Sequence, residues 1–568
     1  MRAWACALIV MAACGGGDAA GPDAGPADAG YQPGPIEPFP EAWCPGRPGC
    51  TGEGGGGLRV GAARASIMPE LVETEWTDEN GNGHYDSGEP FVDANGNGEF
   101  DPYWIAGFGT GRPAVGLNDG VWASAIAFEW RDVRVAIVVL DVVGWFITDH
   151  EPMLDLLPAS LELDHVMMAS THDHEAIDTV GKWGRNELES GVDPDYIDFV
   201  RRQAAAAIEQ AVAHLEPVTM EVAQTRTVDA DGSSLRYVGD RRDPVILDPT
   251  LTVIRFAAAG EPERTVASIV HWAAHPEYGG SRNNLVSSDY PHWLRDTVEN
   301  GAPATATEPA IDGIGGIAIF LNGPIGGQIG DNGVVPLDAD GTPITSDGLH
   351  KSERIGVTVG RLALEAITSA DRVVDVPDPQ LHFRTGRMVL VVENVFFHVA
   401  GLIGLFNRPF FGYDETKPID EGNFPYLESR VTYLQVGNVG LQTVPGELDP
   451  SIAIGGFDGS QAWGDDFIDP DNEFPPDLSK APPPPYLRDL ILANPGVEVP
   501  LVVGMGEDYL GYIVPAWNYI LHPDNPYIEE FNGSQHYEET LSLGPDIEQQ
   551  AVGPARLLLQ WRPPAASR

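Results

Sequence analysis

Two β-branched apolar runs, Val133–Val143 and Val166–Ser170, most constrain how this chain can fold. A strand that is apolar at nearly every position, rather than at alternate ones, must be covered on both faces. The segment between them, Glu151–Leu163, can supply a crossover helix, so the three together predict a βαβ unit with a buried parallel pair. Asp195–Leu215 reads as an amphipathic helix, with Ile197, Val200, Ala204, Ile208, Ala211 and Leu215 on one face. Lys351–Ile367 reads as another, through Ile355, Val359, Leu362 and Ala366, and Val266–Trp272 as a further strand. The expected fold class is α/β: one large single domain with mixed β-sheets flanked by helices, and sites at the carboxyl ends of strands.

Globular composition runs from Leu58 to Trp561 without a clean linker, so 58–561 is read as one domain and 562–568 as a tail. Asp465–Pro485, rich in Pro and Asp, reads as an irregular surface excursion. Ahead of the domain, Arg2 and the apolar run Trp4–Ala13 read as an export signal too short to span a bilayer. It ends at Met11-Ala12-Ala13-Cys14, which resembles a bacterial lipobox, so Cys14 is the expected lipidation site; an ordinary cleaved leader with an incidental cysteine is the plainer alternative. On the first reading, 1–14 is signal and lipobox, and 15–57 is a flexible tether carrying a small disulfide loop between Cys44 and Cys50. The protein would then be an exported lipoprotein, held at the outer membrane, cell surface or periplasm by an acylated N-terminal cysteine. Val389–Phe406 is very apolar but carries Glu393, Asn394 and His398, so it reads as buried core or a substrate-facing wall. Acidic residues outnumber basic ones 84 to 33, for a net charge of -51, and no basic stretch offers a footprint for nucleic acid.

The clearest local motif lies at 78–104. Asp78, Asn80, Asn82, His84, Asp86 and Glu89 fit the calcium-loop pattern position for position, with Gly83 at the sharp turn. Fifteen residues on, Asp93, Asn95, Asn97, Glu99 and Asp101 repeat it, but Trp104 stands where the final Glu belongs. Pro90 and Pro102 leave no room for paired EF-hand helices, so a structural calcium ion, or a solvated loop that binds nothing, are the two readings.

Chemistry gathers at strand ends. Val166–Ser170 runs into Thr171-His172-Asp173-His174, and residues two apart on an extended chain share a face. Val266–Trp272 runs into Ala273-Ala274-His275-Pro276. Here the chain resembles the neutral (alkaline, non-lysosomal) ceramidases, from about Val60 to about Ala551. The landmarks come in the family's order. They are Ile105-Ala106-Gly107-Phe108-Gly109 with Gly116-Leu117-Asn118-Asp119-Gly120, Val139-Leu140-Asp141, Thr171-His172-Asp173-His174, and Ala274-His275-Pro276 with Ser288-Asp289. Val444-Pro445-Gly446-Glu447, Asp508-Tyr509-Leu510-Gly511-Tyr512 and Tyr537-Glu538 complete the series. The resemblance implies a catalytic domain with zinc held by His172, His275, Glu447 and Tyr512. It also implies a proton-shuttling His174, and Arg236 and Tyr537 steadying an oxyanion.

Two departures matter. The family's active-site serine, in a G-D-x-S-P turn, is matched by Ile329, and its aspartate by Gly327. Isoleucine can neither attack a carbonyl nor grip a hydroxyl, so the expected reaction runs through zinc-bound water. Asp173 adds a carboxyl beside the metal, and the family's C-terminal β-sandwich has no counterpart here. The expected function is therefore a zinc-dependent amidohydrolase acting on a linear amide, an N-acyl lipid or related acylated amine. The alternatives are a zinc hydrolase of esters or other amides, and a calcium-stabilised surface binding protein without catalysis.

Overall fold

The computed structural model describes residues 32–563, apart from 331–332, 421, 462, 464–465 and 532–535. Cys14 and the export signal lie outside the described residues. Two large mixed sheets carry the architecture. The first is built on β1 (Arg59–Ser66), β2 (Trp122–Trp130), β3 (Val133–Leu140), β4 (His165–Ser170), β5 (Glu216–Arg226), β6 (Thr250–Ala258), β7 (Glu261–Trp272) and β8 (Ile317–Asn322). Their spatial order is β8-β7-β6-β5-β1-β2-β3-β4, with Val374–Val376 added beside β5. The second runs β9 (Leu381–Val391), β10 (Tyr426–Val436), β11 (Val439–Thr443), β12 (Val499–Val503), with Gly34–Pro35 and Ala42–Cys44 along β9. Cys44 and Cys50 are joined in a disulfide at that edge.

The sheets pack face to face, and helices cover their outer faces. Strand β3 shows why. Val133, Val135, Ile137 and Val139 enter the core shared with Leu434, Leu441 and Leu501 of the second sheet. Ala136, Val138 and Leu140 face the opposite way, onto Ile197, Val200 and Ile208 of the helix Pro194–Ala213. Period-two alternation thus feeds two cores at once, which demands apolar residues at every position. Helix Tyr290–Asn300 packs on β8, helix Leu349–Ile367 on β5 and β6, and Gly553–Gln560 helps cover the second sheet. The result is a layered α/β fold with large mixed sheets between helices.

The expected βαβ unit is present, with β3 and β4 parallel. Its helix, however, is Ile147–Leu154, followed by a short 3-10 turn at Ala159–Leu161, rather than Glu151–Leu163. Pro158 holds the residue before it away from helical geometry, which ends the helix early. Strand β3 stops at Leu140 because Asp141 turns to take both Nη atoms of buried Arg295, at 2.8 and 2.7 Å. Val389–Phe406 is partly strand and partly the helix Val395–Leu402; its Phe397 and Phe406 line an apolar pocket, while Leu402 is 65% exposed. Among the described residues no helix is long and apolar enough to cross a membrane.

Within the two large sheets, three of the described strand pairs are parallel: β3–β4, β7–β8 and β11–β12. Parallel neighbours release their chains at the same sheet end, so three sets of post-strand turns can meet in one place. That end carries the chemistry.

Candidate metal centre

His172 follows β4 in the left-handed region, at φ 66°. A non-glycine residue held there costs about 1–3 kcal/mol. Two backbone bonds hold it: the N–H groups of His172 and Asp173 both donate to the Val142 carbonyl, each at 3.1 Å. The twist turns the imidazole inward, where Nδ1 donates to the Val143 carbonyl at 2.7 Å. After β7, His275 is held the same way, its backbone N–H and Nδ1 both reaching the Gln328 carbonyl at 3.0 Å. A backbone acceptor on Nδ1 sets the tautomer and leaves the Nε2 lone pair free for a cation. Asn322, at the end of β8, clamps the two turns together, donating to Thr171 at 2.9 Å and to Ala274 at 3.0 Å.

Glu447 and Tyr512 follow β11 and β12 of the second sheet and lie side by side, Glu447–Leu448 pairing in parallel with Tyr512–Ile513. The Glu447 Oε2 lies 3.1 Å from His275 Nε2 and 3.4 Å from His172 Nε2. The Tyr512 hydroxyl lies 3.4 Å from His275 Nε2 and 3.3 Å from the Tyr537 hydroxyl. His174 Nε2 is 3.0 Å from His172 Nε2. Four side chains from separated segments therefore converge on one buried point, with His174 and Tyr537 at its border. The ring nitrogens of His172, His174 and His275 all lie within 4.8 Å of one another, a group that can hold a metal ion. Geometry separates its members: His172 and His275 have Nδ1 tied to backbone carbonyls, whereas His174 Nδ1 has no hydrogen-bond partner among the described residues and lies 3.5 Å from Glu277.

Burial works to raise the Glu447 carboxyl, but His172 and His275 outweigh it and hold the group well below the usual range. Burial works to lower His275, but Glu447 and Glu277 push it up to about 9. His174 is held well below its ordinary value by burial and by the two neighbouring imidazoles. The carboxylate is thus favoured in its charged form in a dry site because two imidazoles stand beside it.

Further residues brace the centre. A Cβ on Gly107, whose φ is +101°, would sit 2.3 Å from His174 Cγ, so the glycine-rich opening makes room for the imidazole. Arg112 is fully buried beneath, donating to Glu175 at 2.6 Å, to the His174 carbonyl at 3.0 Å and to the Ala106 carbonyl at 2.7 Å. The extra charge expected at Asp173 is disfavoured by its surroundings. Burial, aided by Asp289 and Asp141, pushes its carboxyl well above the usual range, which works against ionisation there.

The structure also assigns neighbours that sequence reasoning missed. The Tyr509 hydroxyl donates to Glu447 Oε1 at 3.0 Å; its nearness to Tyr512 in the same tyrosine block was the available signal. Gln328 acts through its carbonyl, which no residue identity reveals. Ile329 is buried next to it, paired by backbone bonds with Gly239 at 2.9 and 3.0 Å. Arg236 is turned away from the role expected of it. Its Nε lies 3.5 Å from Asp229, and it lines a separate hollow with Glu308 and Arg354. The arginine that braces the Tyr537 turn is Arg242, buried, 2.8 Å from Glu538 and 3.1 Å from Glu539.

The calcium-pattern loops are built alike. Asp78 accepts from Gly81 and Gly83 at 2.6 and 2.8 Å, and Asp93 accepts from Gly96 and Gly98 at the same two distances. Asn82 and Asn97 each donate to the loop's later aspartate, Asp86 at 2.9 Å and Asp101 at 2.6 Å. Glu89 closes the first loop, accepting from Glu79 at 3.0 Å and Asp86 at 3.0 Å. The second loop is closed from outside the repeat: Glu73 accepts from Ala94 at 3.1 Å and Asp101 at 2.6 Å. Trp104 instead packs with Phe100, 6.0 Å between ring centres. The His84 side chain turns out to the Thr110 carbonyl at 2.7 Å, and Glu99 to Arg185 at 3.1 Å. Both leave only backbone oxygens to the loops.

Comparison with solved structures finds the same architecture. The neutral ceramidase from Pseudomonas aeruginosa matches with a TM-score of 0.59 and 16% identity, over 91% of this chain and 76% of that one. A ceramidase complexed with C2 matches at 0.58 and 15%, over 90% and 77%. No protein-family model matches the chain, and no curated protein matches by sequence. The fold is therefore that of the neutral ceramidases.

Proposed function

We propose that this protein is a zinc-dependent hydrolase of linear amides, cleaving an N-acyl lipid or a related acylated amine. The observation that carries the reading is the single carboxylate oxygen of Glu447, 3.1 and 3.4 Å from two Nε2 atoms that are aimed by backbone carbonyls, with a phenol at the same point. Imidazole nitrogens, a carboxylate and a phenol oxygen form a donor set suited to zinc, so His172, His275, Glu447 and Tyr512 would hold it. Bound there, zinc supplies a Lewis acid and a water acidified towards a pKa of ~7.

The chain's own groups fill the remaining roles. His174, neutral and 3.0 Å from His172, takes a proton from the attacking water and passes it to the leaving amine. The Tyr537 hydroxyl, 3.3 Å from that of Tyr512, donates to the carbonyl oxygen as charge develops on it. Ile329 offers no nucleophile, which leaves attack to water. Beside Tyr509 opens an apolar pocket lined by Phe146, Val180, Phe397, Phe406 and Leu427, suited to an acyl chain. Calcium in the two loops, closed by Glu89 and Glu73, would stiffen the glycine-rich opening, since Tyr85 of the first loop donates to the Gly111 carbonyl at 2.6 Å. Export and anchoring through an acylated Cys14 would bring the enzyme to lipid substrates.

The test is metal content followed by turnover of N-acyl amides and esters, with and without chelator. One zinc per chain and chelator-sensitive amide cleavage are expected. A folded protein that takes up no zinc ends the proposal, and cleavage of esters alone redirects it.

A further inference from the structure

Two cations line the apolar pocket beside the metal centre, Lys182 and Arg408. They differ in how their charge is met. Arg408 is committed to Asp508, with contacts of 2.7 and 2.6 Å. No ion pair or hydrogen bond within the protein meets the Lys182 ammonium among the described residues; its nearest specific contact is the face of Trp183, 5.3 Å away. The charges it feels are Glu447, then Asp178 and Glu530. Glu447 is already engaged by two imidazoles and Tyr509, and Asp178 by the backbone N–H groups of Val180, Gly181 and Trp183. The two nearest carboxylates are therefore occupied.

An ammonium in an apolar wall without a partner is costly, and lysine ordinarily escapes by snorkelling to water. Lys182 is half-buried, lines the pocket, and feels the charge of Glu447 more strongly than that of Asp178 or Glu530. Burial draws its pKa down to about 8, so it is still mostly protonated at neutral pH. A divalent cation on Glu447 would leave the lysine with still less compensation. Ile329 is apolar and buried in its turn, so that position offers a substrate no polar grip. Lys182 is the pocket-lining cation that no carboxylate already holds among the described residues, so it is the group placed to read a charged end on the substrate.

We propose that the substrate is an N-acyl amino acid, with its apolar chain in the pocket of Phe146, Phe397 and Phe406 and its carboxylate on Lys182. The inference rests on the amide-hydrolase reading and names its substrate class. The carboxylate of such a molecule stands one carbon from the amide nitrogen, which suits a cation close to the metal ligands. Hydrolysis breaks the amide C–N bond, places the water's hydroxyl on the acyl carbon and its proton on the nitrogen, and releases a fatty acid and a free amino acid.

The probes are N-dodecanoylglycine and its neutral counterpart N-dodecanoylethanolamine, with purified full-length protein, its K182M variant and its K182R variant. Wild type should prefer the glycine conjugate at least tenfold in kcat/KM. In K182M that preference should collapse about tenfold, through KM rather than kcat, and K182R should restore most of it. Binding is measured separately, by calorimetry, on the ketone isosteres in which CH2 replaces the amide NH. The anionic isostere should bind K182M about tenfold more weakly than wild type. Equal losses for both probes in K182M, or no preference for the anion in wild type, overturn the assignment. If neither amide is cleaved but the anionic isostere binds in a Lys182-dependent way, the hydrolase reading fails and Lys182 keeps its ligand. Cleavage of both amides without discrimination is the reverse result.

Discussion

The candidate metal centre and the paired Asp/Asn loops gather polar groups at opposite ranges along the chain. Each loop closes within about a dozen residues, its aspartate holding two glycine N–H groups of its own turn. The centre takes His172, His275, Glu447 and Tyr512 from the ends of four different strands in two sheets. The loops are exposed and polar, so their shape comes from local hydrogen bonds. The centre is buried, so each ligand must be aimed by something rigid: a backbone carbonyl, an asparagine clamp, a neighbouring phenol. Local sites tolerate loss of one part; a site held by the whole fold does not.

That contrast predicts a graded set of outcomes. Removing a ligand at the centre should have the largest effect. His172→Ala and Glu447→Gln are each expected to lose zinc and turnover together while the circular dichroism spectrum stays native. Retained turnover in either variant would remove the site from consideration. Next comes the bracing beneath the centre: Arg112→Met leaves Glu175 buried without its partner and should cost about 3–5 kcal/mol in urea unfolding. A cost near zero would mean that the pair is no brace at all. Gly107→Ala should be milder in stability, about 1–3 kcal/mol, because His174 must move to admit the new Cβ. Its turnover should nevertheless fall more than tenfold, as displacement of that imidazole predicts.

At the loops the effects should be smaller and calcium-dependent. With a Kd of about 10⁻⁴ M, calcium at about 100 times that concentration stabilises by about 2.7 kcal/mol. Glu73→Gln and Glu89→Gln should each weaken this response, seen as a reduced calcium-induced rise in Tm, and Trp104→Phe should not. A full calcium response in the Glu73 variant would break the equivalence drawn between the two loops. Smallest of all, Arg236→Gln should change stability by less than about 0.5 kcal/mol, since its ion pair among the described residues is with Asp229 in a partly exposed setting.

Legibility followed the same division. The βαβ unit, the long helices and the first loop could be read directly, because hydrophobic period and turn chemistry are properties of neighbouring residues. The second loop was misread at one position: its closing carboxylate, Glu73, precedes the first loop, so counting along the repeat arrives at Trp104. The four candidate ligands were named through resemblance alone, since nothing in the spacing of His172, His275, Glu447 and Tyr512 says that they meet. Arg236 and Arg242 stand six apart in one turn-rich stretch, and only packing decides that the second reaches Glu538 and Glu539 while the first faces outward.

By itself, the sequence determined the layers: strands apolar on both faces must lie between covered surfaces, and glycine and proline set where they turn. The tertiary structure alone decided which turns share an end of the sheets, that Asp173 is buried near Asp289 and Asp141, and that no carboxylate among the described residues forms an ion pair with Lys182. Those are consequences of burial and of distances between segments hundreds of residues apart. Electrostatics inside a protein depends on such distances far more than on order along the chain.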